Sequence, residues 1–365
     1  MMYSFDGIVI SGFSAVTAAG NGMAAVLELL RSGRDALSPV PCDIAGGNGR
    51  RWGKALGFKA SDFMPPLKAR KLDRCSQFAV GAAGLALKDA GFDVKDMDPA
   101  RIGIALGCGF GGVANSAEFL SGYFRSGVEG LAPVLFPNTV SNAPASNVSI
   151  EHGLKGANVT LVQRFCSAES AFLLACRFIA EGRADIVLTG GADDLMPLMI
   201  TGFAATGQLR RYAACFGEGS GILVLESAAH AARRNAPVKA VVRTIATIGL
   251  LPPGHEREGV DRLLAGTAPC DLLSLSGTAG DTPLLMQRIQ APATIDISPV
   301  LGRSLAMGGT AMAALLATLQ PGRQGLHLAA SPEGPYYAIR FTGGAVPLSS
   351  CSTVPGGVKG GAHQG

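Results

Sequence analysis

The stretch Asn158–Asp194 reads NVTLVQRFCSAESAFLLACRFIAEGRADIVLTGGADD, and its pattern decides the fold of the chain. It opens with the β-rich run 159–162 and turns sharply at 164–167. From there apolar residues recur at helical spacing, at Ala171, Leu174, Ala175, Phe178 and Ile179. Gly182 ends the helix, and a second strand runs from Ile186 to the Gly190–Gly191 pair. The stretch is therefore predicted to be strand, turn, buried helix, strand.

The turn of this unit carries Cys166 immediately before the helix. A thiol at the first turn of a helix lies in the positive end of the helix dipole, which favours the thiolate form and hence a nucleophile. The alternative is a buried structural cysteine, which is the commoner fate of a single cysteine in an apolar segment. The residues of the stretch alone leave both interpretations open.

The stretch resembles the nucleophile elbow of the β-ketoacyl synthases, the condensing enzymes of fatty-acid and polyketide synthesis in the thiolase-like superfamily. The residues that match in register are Cys166, Gly182, Asp185, Gly190 and Gly191. Further matching segments are Leu72–Arg74 with Ala79, Pro137–Asn138, Ser149–Ile150, Gly153–Gly156, Phe216–Gly221 and Leu225–Glu226. This resemblance covers roughly residues 7–347 and implies an α/β, thiolase-like, duplicated five-layer αβαβα fold.

Two similar strand–helix series suggest the same duplication along the chain. We expect an N-terminal half at 1–226 with the cysteine elbow, a shortened C-terminal half at 227–350 and a disordered tail at 351–365. Predicted strands lie at 7–12, 102–107, 222–225, 238–248, 272–275 and 337–341. Predicted helices lie at 21–30, 72–90, 115–124, 142–150, 256–264, 281–290 and 309–319.

The amino-acid composition argues against several classes of function. The chain has 365 residues, 48% of them hydrophobic and 16% charged, which is typical of a tightly packed α/β protein. Its net charge is +4, but the sequence has no basic run interleaved with aromatic residues, so nucleic-acid binding is not expected. A mildly positive surface would still suit binding of an acidic carrier protein. Eight cysteines form no CxxC pair, so neither a metal site nor a cofactor is expected.

The sequence predicts a cytoplasmic location. The beginning MMYSFDGIVISG reads as a first strand and lacks the charged and apolar regions of a signal peptide. The most apolar segment, 305–319, is short and is interrupted by Gly308–Gly309. It is therefore predicted to be a buried helix, and no membrane association is expected.

The resemblance implies two histidines that this chain lacks. In the condensing enzymes a His-Gly-Thr motif ends a strand, and the matching residues here are Ser276, Gly277 and Thr278. A second histidine belongs to a Lys-Ser-x-x-Gly-His motif, and here Ser298 replaces its lysine while Arg303 replaces its histidine. The hydroxyl of a serine is no substitute for an imidazole, and arginine is no base near neutral pH.

In this interpretation, none of the five histidines present replaces the two that are missing. We expect each of them to be solvated, in a turn, on a surface helix, in a loop or in the tail: His152, His230, His255, His327 and His363. The scaffold is retained while the decarboxylation chemistry is lost, so Cys166 stands at a vestigial nucleophile position.

This combination most resembles the chain-length factor, the β subunit of type II polyketide ketosynthases, in which Gly-Arg replaces Gly-His as in Gly302–Arg303. The resemblance implies a heterodimer with an active Cys-His-His ketosynthase, joined at the strand 159–162, and elongation of polyketide or polyene chains on acyl carrier protein. The chain departs from the pattern by keeping Cys166 where glutamine is frequent. Two alternatives stay open: an acyltransferase that uses Cys166 alone, and a scaffold protein unrelated to polyketides.

The resemblance also implies a tunnel that measures the growing chain. In chain-length factors, the helix after the glycine loop borders this tunnel at the dimer interface. The matching positions are Gly112, Asn115 and Phe119, whose spacing places them on one helical face. Gly112 and Asn115 are small, so the tunnel is expected to be open past Gly112 and closed near Phe119, unless these residues are simply core and turn.

Overall fold

The computed structural model describes residues 1–212, 215–252, 254–265, 269–277, 285–289, 291–331 and 334–344. The strands are β1 (Met2–Ser4), β2 (Ile8–Thr17), β3 (Gly20–Asn21), β4 (Ser38–Pro39), β5 (Arg51–Gly53), β6 (Ile102–Cys108), β7 (Asn158–Leu161), β8 (Ile186–Asp193), β9 (Cys215–Gly217), β10 (Gly219–Ser227), β11 (Ala240–Ile248), β12 (Leu272–Gly277), β13 (Ala293–Asp296), β14 (Gln324–Ala330) and β15 (Tyr336–Gly343).

The α-helices are α1 (Met23–Ser32), α2 (Pro66–Ala69), α3 (Arg74–Ala90), α4 (Val113–Ser126), α5 (Ala143–His152), α6 (Ser167–Ala180), α7 (Pro197–Ala205), α8 (Ala228–Arg233), α9 (Glu256–Leu264), α10 (Ser298–Leu301) and α11 (Gly308–Thr318). Short 3-10 segments lie at Ala60–Asp62, Val94–Asp96, Pro99–Arg101, Gly127–Gly130, Pro133–Asn138, Arg164–Cys166 and Leu209–Tyr212. Among the described residues, no helix is long and apolar enough to cross a membrane.

Twelve strands of the described chain form one mixed sheet. Its order is β13-β12-β14-β15-β11-β2-β10-β8-β6-β7, with β1 added to β11 and β3 to β2. Two half-sheets meet where β2 pairs with β11, at Ile10 with Ala240 and Val9 with Val241. Among the described strands, the cysteine-elbow strand β7 is at one edge and pairs only with β6. The backbone groups on its outer side therefore have no strand partner within the described part of the chain.

The helices lie in three layers around this sheet. The elbow helix α6 and its counterpart α11 pack against each other between the two half-sheets. Helices α3 and α5 cover the outer face of the N-terminal half-sheet, and α9 packs on β11 and β15 of the other. The central core joins Phe172 of α6, Leu223 of β10 and Leu315 of α11. This layer order confirms the predicted five-layer architecture.

The local predictions agree with the structure where the pattern was strong. Helix α3 begins one residue after Asp73, whose carboxylate accepts a hydrogen bond from the Ser76 backbone N–H at 2.8 Å, as an N-cap does. The sequence analysis did not predict β14, and half of the helix expected at 281–290 lies outside the described residues, as does the tail 351–365. The division into halves at 226 and 227 stays a prediction.

Candidate functional site

The cysteine elbow is built as the sequence predicted. Strand β7 ends at Leu161, a 3-10 turn covers Arg164–Cys166, and α6 begins at Ser167. Arg164 has φ 52°, a left-handed conformation that is uncommon for a residue with a side chain. Its guanidinium donates to Gln208 at 3.1 Å, which helps to hold the turn. Cys166 is fully buried at the N-cap of α6, so the thiol is placed at the positive end of the helix.

A buried hydrogen-bond network lies beside the elbow. The Ser276 hydroxyl donates to the Glu169 carboxylate at 2.5 Å. His327 Nε2 lies 2.9 Å from the same Glu169 oxygen and 3.2 Å from Ser276 Oγ, while His327 Nδ1 lies 2.7 Å from Ser274 Oγ. All four side chains are buried. The structure thus brings an imidazole within hydrogen-bond distance of the position where the expected histidine is missing.

The prediction that His327 is a solvated loop residue is wrong. His327 has no solvent exposure and lies in β14, directly across from Ser274 of β12. The apolar run Leu326–Ser331 surrounding it is a signal for a buried strand that the sequence analysis missed. A histidine inside such a strand has to find polar partners, and here they come from β12 and α6.

Of the other described histidines, His152 and His230 contact polar groups of the protein, and His255 is exposed to solvent. His152 ends α5 and places Nε2 3.1 Å from the Val80 carbonyl, so the expectation of a solvated side chain is wrong here too, and burial lowers its pKa. His230 lies 2.9 Å from the buried carboxylate of Glu226. His255 is exposed, as expected. His363 lies outside the described residues.

The fold makes room for the Glu169 carboxylate. A Cβ added at Gly308, the first residue of α11, would overlap both carboxylate oxygens of Glu169. One of these oxygens, Oε2, is buried and makes no hydrogen bond within the part of the chain that the structure describes. A buried carboxylate with an oxygen that makes no hydrogen bond is costly to a fold, and such groups cluster at functional sites.

Arg303, which the resemblance aligns with the second histidine, is held by its neighbours. Its Nη1 donates to the Gly277 carbonyl, and its Nη2 donates to Ser298 Oγ at 3.0 Å. Ser298 is the residue that the resemblance aligns with the lysine, so the two aligned residues contact each other. Burial lowers the pKa of Arg303, but a guanidinium starts from such a high value that it remains a cation at neutral pH. Arg303 can bind or screen charge but cannot act as a base.

A pocket of about 600 Å³ opens close to the elbow. Its lining includes Gln163, Arg164, Leu250 and Tyr337. The Tyr337 hydroxyl lies 2.8 Å from the Ser170 hydroxyl, which also contacts Gln163. Burial raises the pKa of Tyr337 to about 12, and electrostatic interactions with Cys166 and Glu169 act in the same direction. The pocket wall, the thiol and the carboxylate therefore share one region of the protein.

The three proposed tunnel positions are not equivalent. Gly112 caps α4 with φ 62°, and a Cβ there would lie 2.7 Å from the Val140 carbonyl oxygen. A side chain at Gly112 would therefore meet backbone atoms, and the tunnel past this residue stays a prediction. Asn115 is buried in α4. Phe119 is partly exposed, with its ring centroid 5.7 Å from that of Phe136.

The sequence analysis also missed a buried acidic group. Asp193 accepts from the backbone N–H groups of Gly109 at 2.7 Å and Ala306 at 2.5 Å, and burial raises its pKa to about 6. Burial also raises the pKa of Asp194 to about 7, and the charges of Asp73, Asp193 and Glu218 add to the effect. Asp73 and Glu218 come from segments distant from Asp193 and Asp194, and no local pattern could have joined them.

Comparison with known proteins gives one family match. A family profile described as "Beta-ketoacyl synthase, N-terminal domain" matches residues 6–231. The 3-oxoacyl-[acyl-carrier-protein] synthase 2 of Vibrio cholerae is 30% identical over 64% of this chain, and the aligned region spans 61% of that protein, less than two thirds of its length. The corresponding synthase 2 of Staphylococcus aureus is 28% identical over 76% of this chain and 73% of its own length.

Solved structures show the same fold. The ishigamide ketosynthase/chain length factor superimposes with a TM-score of 0.81 at 21% identity, covering 93% of this chain and all of that one. A β-ketoacyl synthase from Burkholderia phymatum gives 0.78 at 20% identity, with the same coverage. A ketosynthase in complex with its type II polyketide synthase acyl-carrier protein and bound to the hexaketide gives 0.76 at 19% identity, covering 93% and 99%. At these identities the likeness establishes the fold.

Proposed function

Because the chain belongs to the β-ketoacyl synthase family, we propose that it is the partner subunit of an active ketosynthase, of the chain-length-factor type. In this role it pairs with a Cys-His-His subunit, helps to elongate polyketide or polyene chains on acyl carrier protein and sets their length. It does not itself carry out decarboxylative condensation.

This proposal rests on the side chains at the two positions where the condensing enzymes have histidines, and on the hydrogen bonds that these side chains make. Ser276 directs its hydroxyl to Glu169, and Arg303 directs its guanidinium to Gly277 and Ser298. Decarboxylative condensation needs donors that stabilise an enolate as carbon dioxide leaves. The hydroxyl is already engaged with a carboxylate, and the two terminal nitrogens of the guanidinium are engaged with the protein. We infer that a malonyl group finds no imidazole pair here.

An exposed apolar face supports the pairing with another subunit. Elements α4 to β7 carry large apolar side chains with roughly half or more of their surface exposed: Leu120, Tyr123, Phe124, Val128, Val134, Phe136, Val140, Ile150 and Val162. We call this set the apolar face. Its members follow one another along the chain from α4 to the residue after β7, which is an edge strand of the described sheet. An apolar patch beside an open strand edge is typical of a protein interface, and we infer that a ketosynthase subunit with its own corresponding edge strand covers it.

The assignment of an acyl carrier protein rests on chemistry and on one neighbour. Carrier-bound chains are thioesters, which suits an open pocket next to a cysteine elbow. One structural neighbour is a ketosynthase in complex with its acyl-carrier protein. The direct test is co-expression with an active ketosynthase and its carrier protein. We expect a stable heterodimer that makes product, whereas a chain that makes product alone would contradict the proposal.

The second candidate function is a Cys-only acyltransferase. It is favoured by the retention of Cys166 at the start of α6 and by the buried His327–Glu169 contact at 2.9 Å. Neither feature supplies the enolate donors that condensation requires. The two candidates are compatible, since a partner subunit can exchange acyl groups without condensing them.

Removal of the thiol gives one test of the partner-subunit role. We expect Cys166→Ala in the heterodimer to leave product formation within a few-fold of wild type, because condensation takes place at the cysteine of the partner subunit. Replacement of that partner cysteine should abolish product formation. Product is measured by chromatography with purified complex, carrier protein and malonyl donor. A loss of product from an intact Cys166→Ala complex would show that this subunit's thiol is essential.

The tunnel proposal is tested at Phe119, since Gly112 cannot accept a side chain without moving backbone. We expect Phe119→Ala to lengthen the products, because it removes the only large side chain among the three proposed positions. Phe136→Ala is the matched control, since it removes the ring that packs on Phe119. Product lengths are compared by mass spectrometry of the released chains. Unchanged lengths in an assembled complex would exclude this helix face from the measurement.

A further inference from the structure

The Glu169 carboxylate lies in the first turn of α6, the helix that follows Cys166. Cys166 is the N-cap of α6, and Glu169 is three residues later. In a capping box, the glutamate at this position turns back toward the N-cap residue. Here one carboxylate oxygen of Glu169 is taken by Ser276 and His327. The other, Oε2, is buried without a hydrogen-bond partner among the described residues, which marks it as an available proton acceptor.

His327 holds this carboxylate from a strand where no histidine was expected. Its two ring nitrogens bridge Ser274 of β12 and Glu169 of α6 at 2.7 and 2.9 Å. The bridge fixes the ring orientation from both sides, as a partnered imidazole requires. Gly308 leaves the space for the carboxylate, so α11 also contributes to the arrangement. Four separate elements thus converge on one glutamate.

We propose that Glu169, positioned by His327 and Ser276, is the general base that activates Cys166 for exchange of neutral acyl groups between thioesters. The inference rests on the proposed function, to which it adds an accessory reaction. In the exchange, the Cys166 S–H proton passes to Glu169 Oε2 while sulfur bonds to the thioester carbonyl carbon. The carbon–sulfur bond to the donor thiol then breaks, and the proton passes to the departing thiolate. No oxidation occurs, and no further reactant is needed.

The experiment measures acylation of the purified chain by octanoyl-N-acetylcysteamine. Intact mass spectrometry follows the adduct, and peptide mapping with Cys166→Ala assigns it to Cys166. A general base contributes at least about 100-fold, so Glu169→Gln should lower the rate constant by that factor. His327→Gln should lower it less and shift the pH profile. His152→Gln is the matched control, a partly buried histidine bonded to a carbonyl elsewhere, and should leave the rate unchanged.

The wild-type pH profile provides a test that needs no substitution. A built-in base predicts an acylation rate that levels off as pH rises, whereas an unassisted thiol predicts a tenfold rise for each pH unit until the thiol itself is ionised. Equal rates and profiles for wild type and Glu169→Gln would overturn the proposal, as would an unassisted profile in the wild type. Absence of any adduct at Cys166, alone and in complex, would overturn it too.

Assembly is measured on the same samples by light scattering with the partner ketosynthase. A chain that assembles but is not acylated refutes the base and leaves the partner-subunit role intact. A chain that is acylated through Glu169 but does not assemble gives the opposite result. The two proposals therefore fail separately.

Discussion

A chain carrying Phe124→Glu and Val128→Glu is expected to fold normally and to lose its ketosynthase partner. Both side chains are prominent on the apolar face, with 80% and 76% of their surface exposed, so the folded chain itself loses little. Burial of a phenylalanine or valine at an interface contributes about 1.5–3 kcal/mol each. Burial of an unpaired carboxylate costs several kcal/mol more, so we expect affinity to fall by more than about 100-fold.

Analytical ultracentrifugation of the mixed subunits measures this effect. Leu56→Glu is the matched control, because Leu56 is also 80% exposed but lies outside the apolar face. It should bind the partner as wild type does. Retention of full affinity by the double variant, with its fold checked by circular dichroism, would place the partner on another surface.

The second large effect concerns the buried acidic group. Asp194→Asn should stabilise the chain by about 2–4 kcal/mol at pH 8, because the pKa of Asp194 is about 7 in the folded protein against the usual 3.8. Between pH 4 and pH 7 the folded state holds a proton that the unfolded state has released. Stability of the wild type therefore falls as pH rises through this window and is constant above it. The gain from asparagine should be greatest at pH 8 and vanish near pH 4.

Urea unfolding at pH 5 and pH 8 checks this sign. Asp193→Asn is the control, since burial raises the pKa of that carboxyl as well, to about 6, but both of its oxygens accept backbone hydrogen bonds. An amide cannot accept with its nitrogen, so we expect this variant to be less stable than wild type. If Asp194→Asn were less stable at pH 8 than at pH 5 relative to wild type, the charge argument would be wrong.

The sequence was sufficient for features that depend on local pattern. The strand, cysteine turn and helix around Cys166 follow from apolar spacing and breakers, and they formed as predicted. Positions 276 and 303 were assigned through the resemblance, which aligns the neighbouring Gly277 and Gly302 with the two histidine motifs of the condensing enzymes. The helix predicted at 72–90 also formed, although it begins at Arg74 and Asp73 is its N-cap.

Features that depend on distant segments could not be predicted. Glu169 and His327 are 158 residues apart in sequence, and only the pairing of β14 with β12 brings them together. The surroundings of Gly112 could not be predicted for a similar reason. A Cβ added at this glycine would meet the backbone of residue 140, which is distant in sequence. For His327 the local pattern gave the wrong surroundings, since tertiary contacts determine burial.

The pairing of β1 with β11 has a consequence for the order in which the protein is made. Met2 of β1 pairs with Ala246 of β11, so about 240 further residues must be synthesised after β1 before its partner strand exists. The ribosome adds some 5–20 residues each second, which leaves that short strand without its partner for about 12 to 50 seconds. The sheet is completed only when synthesis has passed the middle of the chain, and until then the nascent protein depends on chaperones or on its own solubility.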